Sequence, residues 1–205
     1  MSARRWPAML LWIAMAVSLV GCSNTVAVDV GYPEAGVNRA TLASVRSRRV
    51  EIRPVTDRRT DTARIGVQPD EKKKLVVTSR PVTDIVRDAL VAELQRNGHV
   101  VVPDRSDLMI AADVDEFAFD AVAARSSAQY VGKVALAFTV TDRQSGKIVF
   151  TRRYVGIKRQ NADRDAKHAA RDVMDAALAR AMHDLATDAE LAHVFGDSRP
   201  DVQRI

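Results

Sequence analysis

The sequence predicts an α+β fold: a twisted, largely antiparallel sheet of about four to five strands with two helices packed on one face. Three observations lead there. A helical period of apolar residues lies between short strand-like runs, two long alternating stretches are joined by a tight turn, and a second, alanine-rich helical period closes the chain.

Arg49-Val50-Glu51-Ile52-Arg53 alternates charged and apolar residues, which turns Val50 and Ile52 inward. Pro54 ends that strand or keeps it at an edge, because it lacks the amide a central ladder requires. Thr56 to Asp70 is polar and predicts a long surface loop, with a short strand around Ile65-Gly66-Val67. Leu75 to Val77 forms another short strand. Pro81 suits a first helical turn, and Val82, Ile85, Val86, Ala89, Leu90 and Leu94 then recur at spacings of three and four until Gly98 stops the helix.

His99 to Val102 reads as a strand ended by Pro103. Leu108, Ile110, Ala112 and Val114 alternate with polar or small residues and continue through Phe117 and Phe119. Tyr130 to Thr141 repeats the pattern, Asp142 to Gly146 is a hairpin turn, and Lys147 to Lys158 returns, so an antiparallel meander is expected. Asn161 is placed to cap the last long helix, with Asp163 and Asp165 at the positive end of its dipole. Ala166, Ala169, Ala170, Val173, Met174, Ala177, Leu178, Ala181, Met182 and Leu185 form its stripe. Alanine at half of these positions lets the helix lie close to a sheet. A short helix from Asp188 to Phe195 ends at Gly196.

The start of the chain carries a different signal. Arg4 and Arg5 precede the apolar run Met9 to Val17, the charged and apolar regions of a secretory signal. From Met9 to Val20 a helix would rise only about 18 Å, against a hydrocarbon core of roughly 30 Å, so the run is too short to span a membrane. Leu19-Val20-Gly21-Cys22 has the pattern of a lipobox, which predicts cleavage between Gly21 and Cys22 and a diacylglyceryl group on the Cys22 thiol. Cys22 is the one cysteine in the chain, so it has no disulfide partner, and acylation removes an otherwise free thiol from an oxidising compartment. The residue after it is Ser23 and not the aspartate of an inner-membrane retention signal. The expected address is therefore the periplasmic face of the outer membrane. The organisation that follows is a signal at 1–21, a lipidated N-terminus and flexible tether at 22–47, one periplasmic domain at 48–196 and a frayed tail at 197–205. A coil of the tether's length has a reach of about 28 Å, enough to hold the domain clear of the bilayer.

Removing the signal, with its two arginines and no acid, takes the net charge from +5 to +3, weak support for a polyanionic partner. The basic clusters Arg46, Arg48, Arg49 and Arg53, then Arg58 and Arg59, then Lys72, Lys73 and Lys74 have no aromatic residues among them. Single-stranded nucleic acid would need such a stacking platform, and an exported protein would not meet it. Solvated faces are the expectation, and if any cluster binds, acidic lipid headgroups or the cell-wall polymer are the available anions.

Catalytic and metal chemistry find little to stand on. His99, His168, His183 and His193 show no ligand spacing, and adjacent helical residues such as His183 and Asp184 diverge by about 100°. Asp113, Asp115 and Glu116 form the best acidic group, but they lack the glycine turn and further acids of a calcium loop. Ser126 and Ser127 lie in a small-residue turn with no nucleophile elbow around them. No catalytic residue, metal or cofactor is expected.

The lipobox at Cys22, the strand leading into Val55-Thr56-Asp57-Arg58-Arg59, the helix closing at Asn97-Gly98, the meander and the closing segment Ala176 to Phe195 with its Asp184-Leu185-Ala186-Thr187-Asp188 together resemble the YajG-type lipoprotein family. That resemblance implies an α/β sandwich like those of envelope assembly lipoproteins, and no catalytic residues. The chain departs from the pattern in its basic stretch from Arg46 to Arg59 and in its charged tail. Asp57, Arg58 and Arg59 are the candidate interaction loop. The expected function is a membrane-anchored, non-catalytic accessory module with an envelope protein partner and no nucleic acid. The alternatives are a lipid or small-ligand carrier and, behind it, a cell-wall or lipid hydrolase.

Overall fold

The computed structural model describes residues 24–32, 40–68, 73–123, 128–161 and 166–197. Its strands are β1 (Thr25–Val28), β2 (Arg49–Ile52), β3 (Thr56–Asp57), β4 (Gly66–Val67), β5 (Leu75–Thr78), β6 (Val100–Val101), β7 (Leu108–Ala123), β8 (Ala128–Asp142) and β9 (Ile148–Asn161). The helices are α1 (Val82–Arg96), α2 (Ala166–Ala186) and α3 (Ala189–Asp197), with a 3-10 turn at Thr41–Ser44. Strict alternation produces the long strands β7, β8 and β9, which pair as the expected antiparallel meander.

Along its other side β7 is lined by three short strands in succession, β2, β3 and β4, all parallel to it. β6 extends the sheet beyond β2, while β5 and then β1 extend it beyond β4, β5 antiparallel to β4 and β1 parallel to β5. The sheet is therefore mixed and has nine strands where four to five were expected. Six of the nine are four residues or fewer, too short to carry a period that distinguishes a strand from a loop. Three helices, not two, accompany it. Val114, Phe117, Phe119, Leu136 and Phe138 on one face are fully buried, whereas Asp113, Glu116 and Ala118 on the other are not, so the helices cover a single face.

α2 touches β8 and β9 backbone to backbone. A β-carbon added at Gly132 would lie 2.4 Å from the Val173 carbonyl oxygen, and one at Gly156 would lie 1.8 Å from that of Ala177. The alanine stripe of the helix makes this approach feasible, and all ten of its residues from Ala169 to Ala186 on that face are buried. α1 stops where its sequence says: Gly98 adopts φ +85°, and the His99 amide reaches back to the Leu94 carbonyl at 3.0 Å, closing the last turn. α3 starts on Asp188. One carboxylate oxygen accepts the amides of Glu190 (2.9 Å) and Leu191 (3.2 Å), and the other accepts from the Tyr154 hydroxyl (2.8 Å) and Arg152 (2.6 Å).

Three expectations change. The stretch 22–47, read as a flexible tether, is built into the domain in its described parts: Thr25–Val28 is a strand, and Val28, Val30 and Leu42 are core residues. Its small polar composition hid those few apolar side chains. The Gly31 amide donates to Asp175 of α2 at 2.9 Å, and the Tyr32 hydroxyl donates to the buried Glu93 carboxylate, which also accepts from Arg96 (3.0 Å) and Asn97 (2.9 Å). Burial, and then Glu93, push the Tyr32 hydroxyl's pKa well up. Asn161 is the last residue of β9 and no helix cap, since strand pairing with Gln129 holds it. Arg48, counted among solvated charges, is buried and donates to the Phe195 (2.6 Å) and Gly196 (3.4 Å) carbonyls at the end of α3.

Gly156→Ala forces the α2 backbone off the sheet and is expected to cost at least about 3 kcal/mol in chemical denaturation. Gly31→Ala, whose β-carbon would meet nothing within 4 Å, should stay within about 0.5 kcal/mol.

Candidate functional site

The candidate loop after β3 separates into two kinds of residue. Between its pairing with β3 at Asp113–Val114 and with β4 at Phe119, β7 has no strand neighbour on that side. The Arg59 guanidinium occupies the gap. It donates to the carbonyls of Arg64 (3.0 Å), Thr62 (3.3 Å) and Phe117 (3.4 Å), and its Nε and Nη2 grip Asp57 at 2.9 and 2.7 Å. With its side chain 7% exposed, Arg59 substitutes for a missing strand segment. Burial pushes the Asp57 carboxyl upward, but Arg59 outweighs it and holds the pKa below the usual range. Arg58 instead points outward, 63% exposed, and pairs with Asp113 at 2.6 Å.

Asp113, Asp115 and Glu116 of β7 do not pool their charge. The register jumps from Val114 to Glu116, so Asp115 is the extra residue of a bulge. Asp113 goes to Arg58, Asp115 to Arg153 at 2.9 Å, and Glu116 to Lys133 at 2.8 Å. Among the described residues no three His, Cys, Asp or Glu side chains gather to hold a metal ion.

Beside the Arg59 loop a groove of about 680 Å³ opens between β4 and the end of β7, with Arg59, Arg64, Gln68, Lys73, Phe117 and Asp120 among its lining. Gln68 is 7% exposed; its backbone amide donates to the Lys74 carbonyl at 2.8 Å, and its side-chain amide makes no hydrogen bond among the described residues. Past Phe119, no described strand pairs with β7 on the β4 side. Sequence reasoning had singled out Arg59, Lys73, Asp115 and Glu116 of this lining but not Gln68, which sits in a polar loop and owes its burial to residues distant in the chain. Such a groove offers an amide, separate charges of both signs and open strand backbone. Those are the elements that hold an extended peptide.

The histidines divide likewise. His168, His183 and His193 are exposed, and His193 pairs with Asp197 at 2.9 Å. His99, expected to be bland, is buried. Its ring meets Phe195 edge-on at 4.7 Å, and Nδ1 accepts the Arg48 amide at 3.2 Å. Burial lowers its pKa, the Arg48 charge adds to that, and the Leu42 backbone opposes both. Gly21, Cys22, Ser126, Ser127, Asp163 and Asp165 lie outside the described residues.

The chain is thus a one-sided α+β sheet in which the acids clustered on β7 are paired with bases of neighbouring elements. The chain belongs to the Lipoprotein_16 family, described as uncharacterized lipoprotein, whose model matches residues 35–195. The YajG-type resemblance is thereby borne out. Among solved structures, protein XCC0632 from Xanthomonas campestris, of the DUF330 family, shares the fold at 18% identity and a TM-score of 0.58, covering 83% of this chain and 96% of its own. A minor lipoprotein from Acinetobacter baumannii is similar at 14% identity and a TM-score of 0.40, over 69% of this chain and 92% of that one. No curated protein sequence matches.

Arg59→Ala leaves Asp57 and three carbonyls without their donor and should cost about 3 kcal/mol, with new protease cleavage at 58–65, whereas Arg58→Ala should cost below about 1 kcal/mol. His99 has a folded pKa below its unfolded value near 6.5. The unfolded chain therefore binds the extra proton, and stability falls as pH drops through and below that value. Thermal midpoints measured between pH 7.5 and 5.5 should decline in the native chain and flatten in His99→Phe.

Proposed function

We propose that this chain is a non-catalytic envelope lipoprotein, held by lipid on Cys22 at the periplasmic face of the outer membrane, that binds a protein partner through the groove beside β7. The observation that carries the non-catalytic reading is the pairing pattern. Arg59, Asp61, Arg64, Asp115 and Glu116 around the groove are each engaged in an ion pair. Paired in this way the charges neutralise one another, while the Gln68 side-chain amide and the open backbone of β7 offer hydrogen bonds to a bound chain. Membership of a lipoprotein family supports the anchor. The groove is open and rimmed with charge, which suits a peptide better than an acyl chain.

Mass spectrometry of the N-terminal peptide should find a diacylglyceryl group on Cys22, and Cys22→Ala should abolish it. A photo-crosslinker at Thr60, in the groove lining away from the β1 end, should capture a discrete envelope protein that one at Lys147, in the remote hairpin, does not. Identical products from both positions would remove the groove from consideration.

A further inference from the structure

We propose that the end of the domain where β1 begins is a docking surface for the phosphate headgroups of anionic lipids, an inference that rests on the anchor at Cys22. The first support is distance. The Asn24 carbonyl already accepts the Leu75 amide at 2.9 Å, so the sheet starts at once. The three steps from Cys22 to Thr25 span at most about 11 Å of extended chain. A lipid on Cys22 thus holds Thr25 within about one Debye length, ~10 Å at 0.1 M salt, of the headgroups. The domain cannot stand clear of the bilayer as a long tether would allow.

The second support is what shares that end. Register carries one row across the sheet: Thr25 faces Leu75, Leu75 faces Val67, Gly66 next to it faces Phe119, Asp120 faces Val131, and Val131 faces Arg159. Six strands at ~4.8 Å make the row about 24 Å wide. On or past it lie Lys73, Lys74, Asp120 and Arg159, with Lys158 one residue inside. α2 adds Lys167. Its Val173 rests on Gly132 and its Ala177 on Gly156, so the helix runs away from this end and its first turn overhangs the row.

Lys73, Lys158, Arg159 and Lys167 are exposed and Lys74 is half-buried. None of the five has an ion pair among the described residues, and the described acids at this end are Asp120 on β7 and, beside the Val173 that rests on Gly132, Asp172 on α2. The intervening sequence at 69–72, 124–127 and 162–165 holds three basic and four acidic residues, which leaves the excess positive. Val122, half exposed, adds an apolar side chain. At the opposite end Arg143 pairs with Glu51 and Arg152 with Asp188 and Glu190, while Arg49, Arg105 and Lys147 stand without an ion pair among the described residues, so what sets the β1 end apart is its place beside the anchor together with its charge. A broad row of unpaired cations next to the attachment point matches a charged plane better than a pocket-sized ligand.

The test uses protein purified from membranes, with its N-terminal peptide weighed, reconstituted in phosphatidylcholine vesicles with or without about one quarter phosphatidylglycerol. Amide hydrogen exchange should slow at 73–75, 120–122 and 159–161 in the anionic vesicles and stay unchanged at 143–147. The Lys73→Gln/Lys74→Gln/Arg159→Gln variant should keep its thermal midpoint and lose that slowing. Equal exchange in both vesicles, with lipid present on Cys22, overturns the docking surface and leaves the anchor standing. If Cys22 carries no lipid, the anchor reading falls, and flotation of the same protein decides the proposal. Each basic residue is worth about five-fold in partition, so a roughly hundred-fold loss in the triple variant supports it. An equal loss in an Arg105→Gln/Lys147→Gln/Arg143→Gln variant, or no preference for anionic vesicles, overturns it.

Discussion

Backbone contact between α2 and the meander sets the thickness of the whole domain. Gly132 and Gly156 leave the Val173 and Ala177 carbonyls resting where side chains would ordinarily stand. Alanine on the helix side completes the fit, so the layers meet without the spacing that Leu or Phe would impose. α2 sits low enough that its Asp175 reaches the Gly31 amide. The N-terminal segment, α1 and α3 then close around it. Each methyl group buried along this contact contributes about 0.8 kcal/mol, small individually but repeated over the length of a 21-residue helix.

A second constraint is electrical. Among the described residues the guanidinium groups of Arg48 and Arg59 and the carboxylates of Glu93 and Asp188 are buried, and each finds enough partners to be tolerated. Arg59 bridges a discontinuity in the sheet, Arg48 closes the carbonyl end of α3, and Glu93 gathers Tyr32, Arg96 and Asn97. Each group joins segments far apart in sequence, so these charges fix which loop lies against which element. The surface pairs of β7, by contrast, merely neutralise a face that no helix covers.

What could be read from the sequence follows from this division. The meander, α1 and the stripe of α2 repeat an apolar period over many residues, and a repeated period survives any single exception. β3, β4 and β6 are two residues each and exist only because β7 or β2 offers them a ladder. Thr25–Val28 looked like tether because its neighbours are small and polar, yet a few apolar side chains and the Tyr32 hydroxyl suffice to fix it. Of the candidate loop, Asp57 to Arg59 was found as a cluster of charges. That Arg59 faces inward while Arg58 faces outward depends on carbonyls at 62, 64 and 117, which no local pattern encodes. Gln68 was invisible for the same reason. His99 passed as an ordinary strand residue, since its partner Phe195 comes from the last helix.

The parallel pairing of β1 with β5 also determines how the domain would bear mechanical load. Tension applied through the chain ahead of Thr25 runs along the axis of β1, so the hydrogen bonds that join Thr25–Val28 to Leu75–Thr78 are loaded together in shear. A hairpin pulled from its open end would instead unzip one bond at a time. Tyr32, clamped to α1 beyond the strand, acts as a second stop if β1 slips. The segment that a sequence reader would treat as slack line is thus attached in the geometry that resists being drawn out.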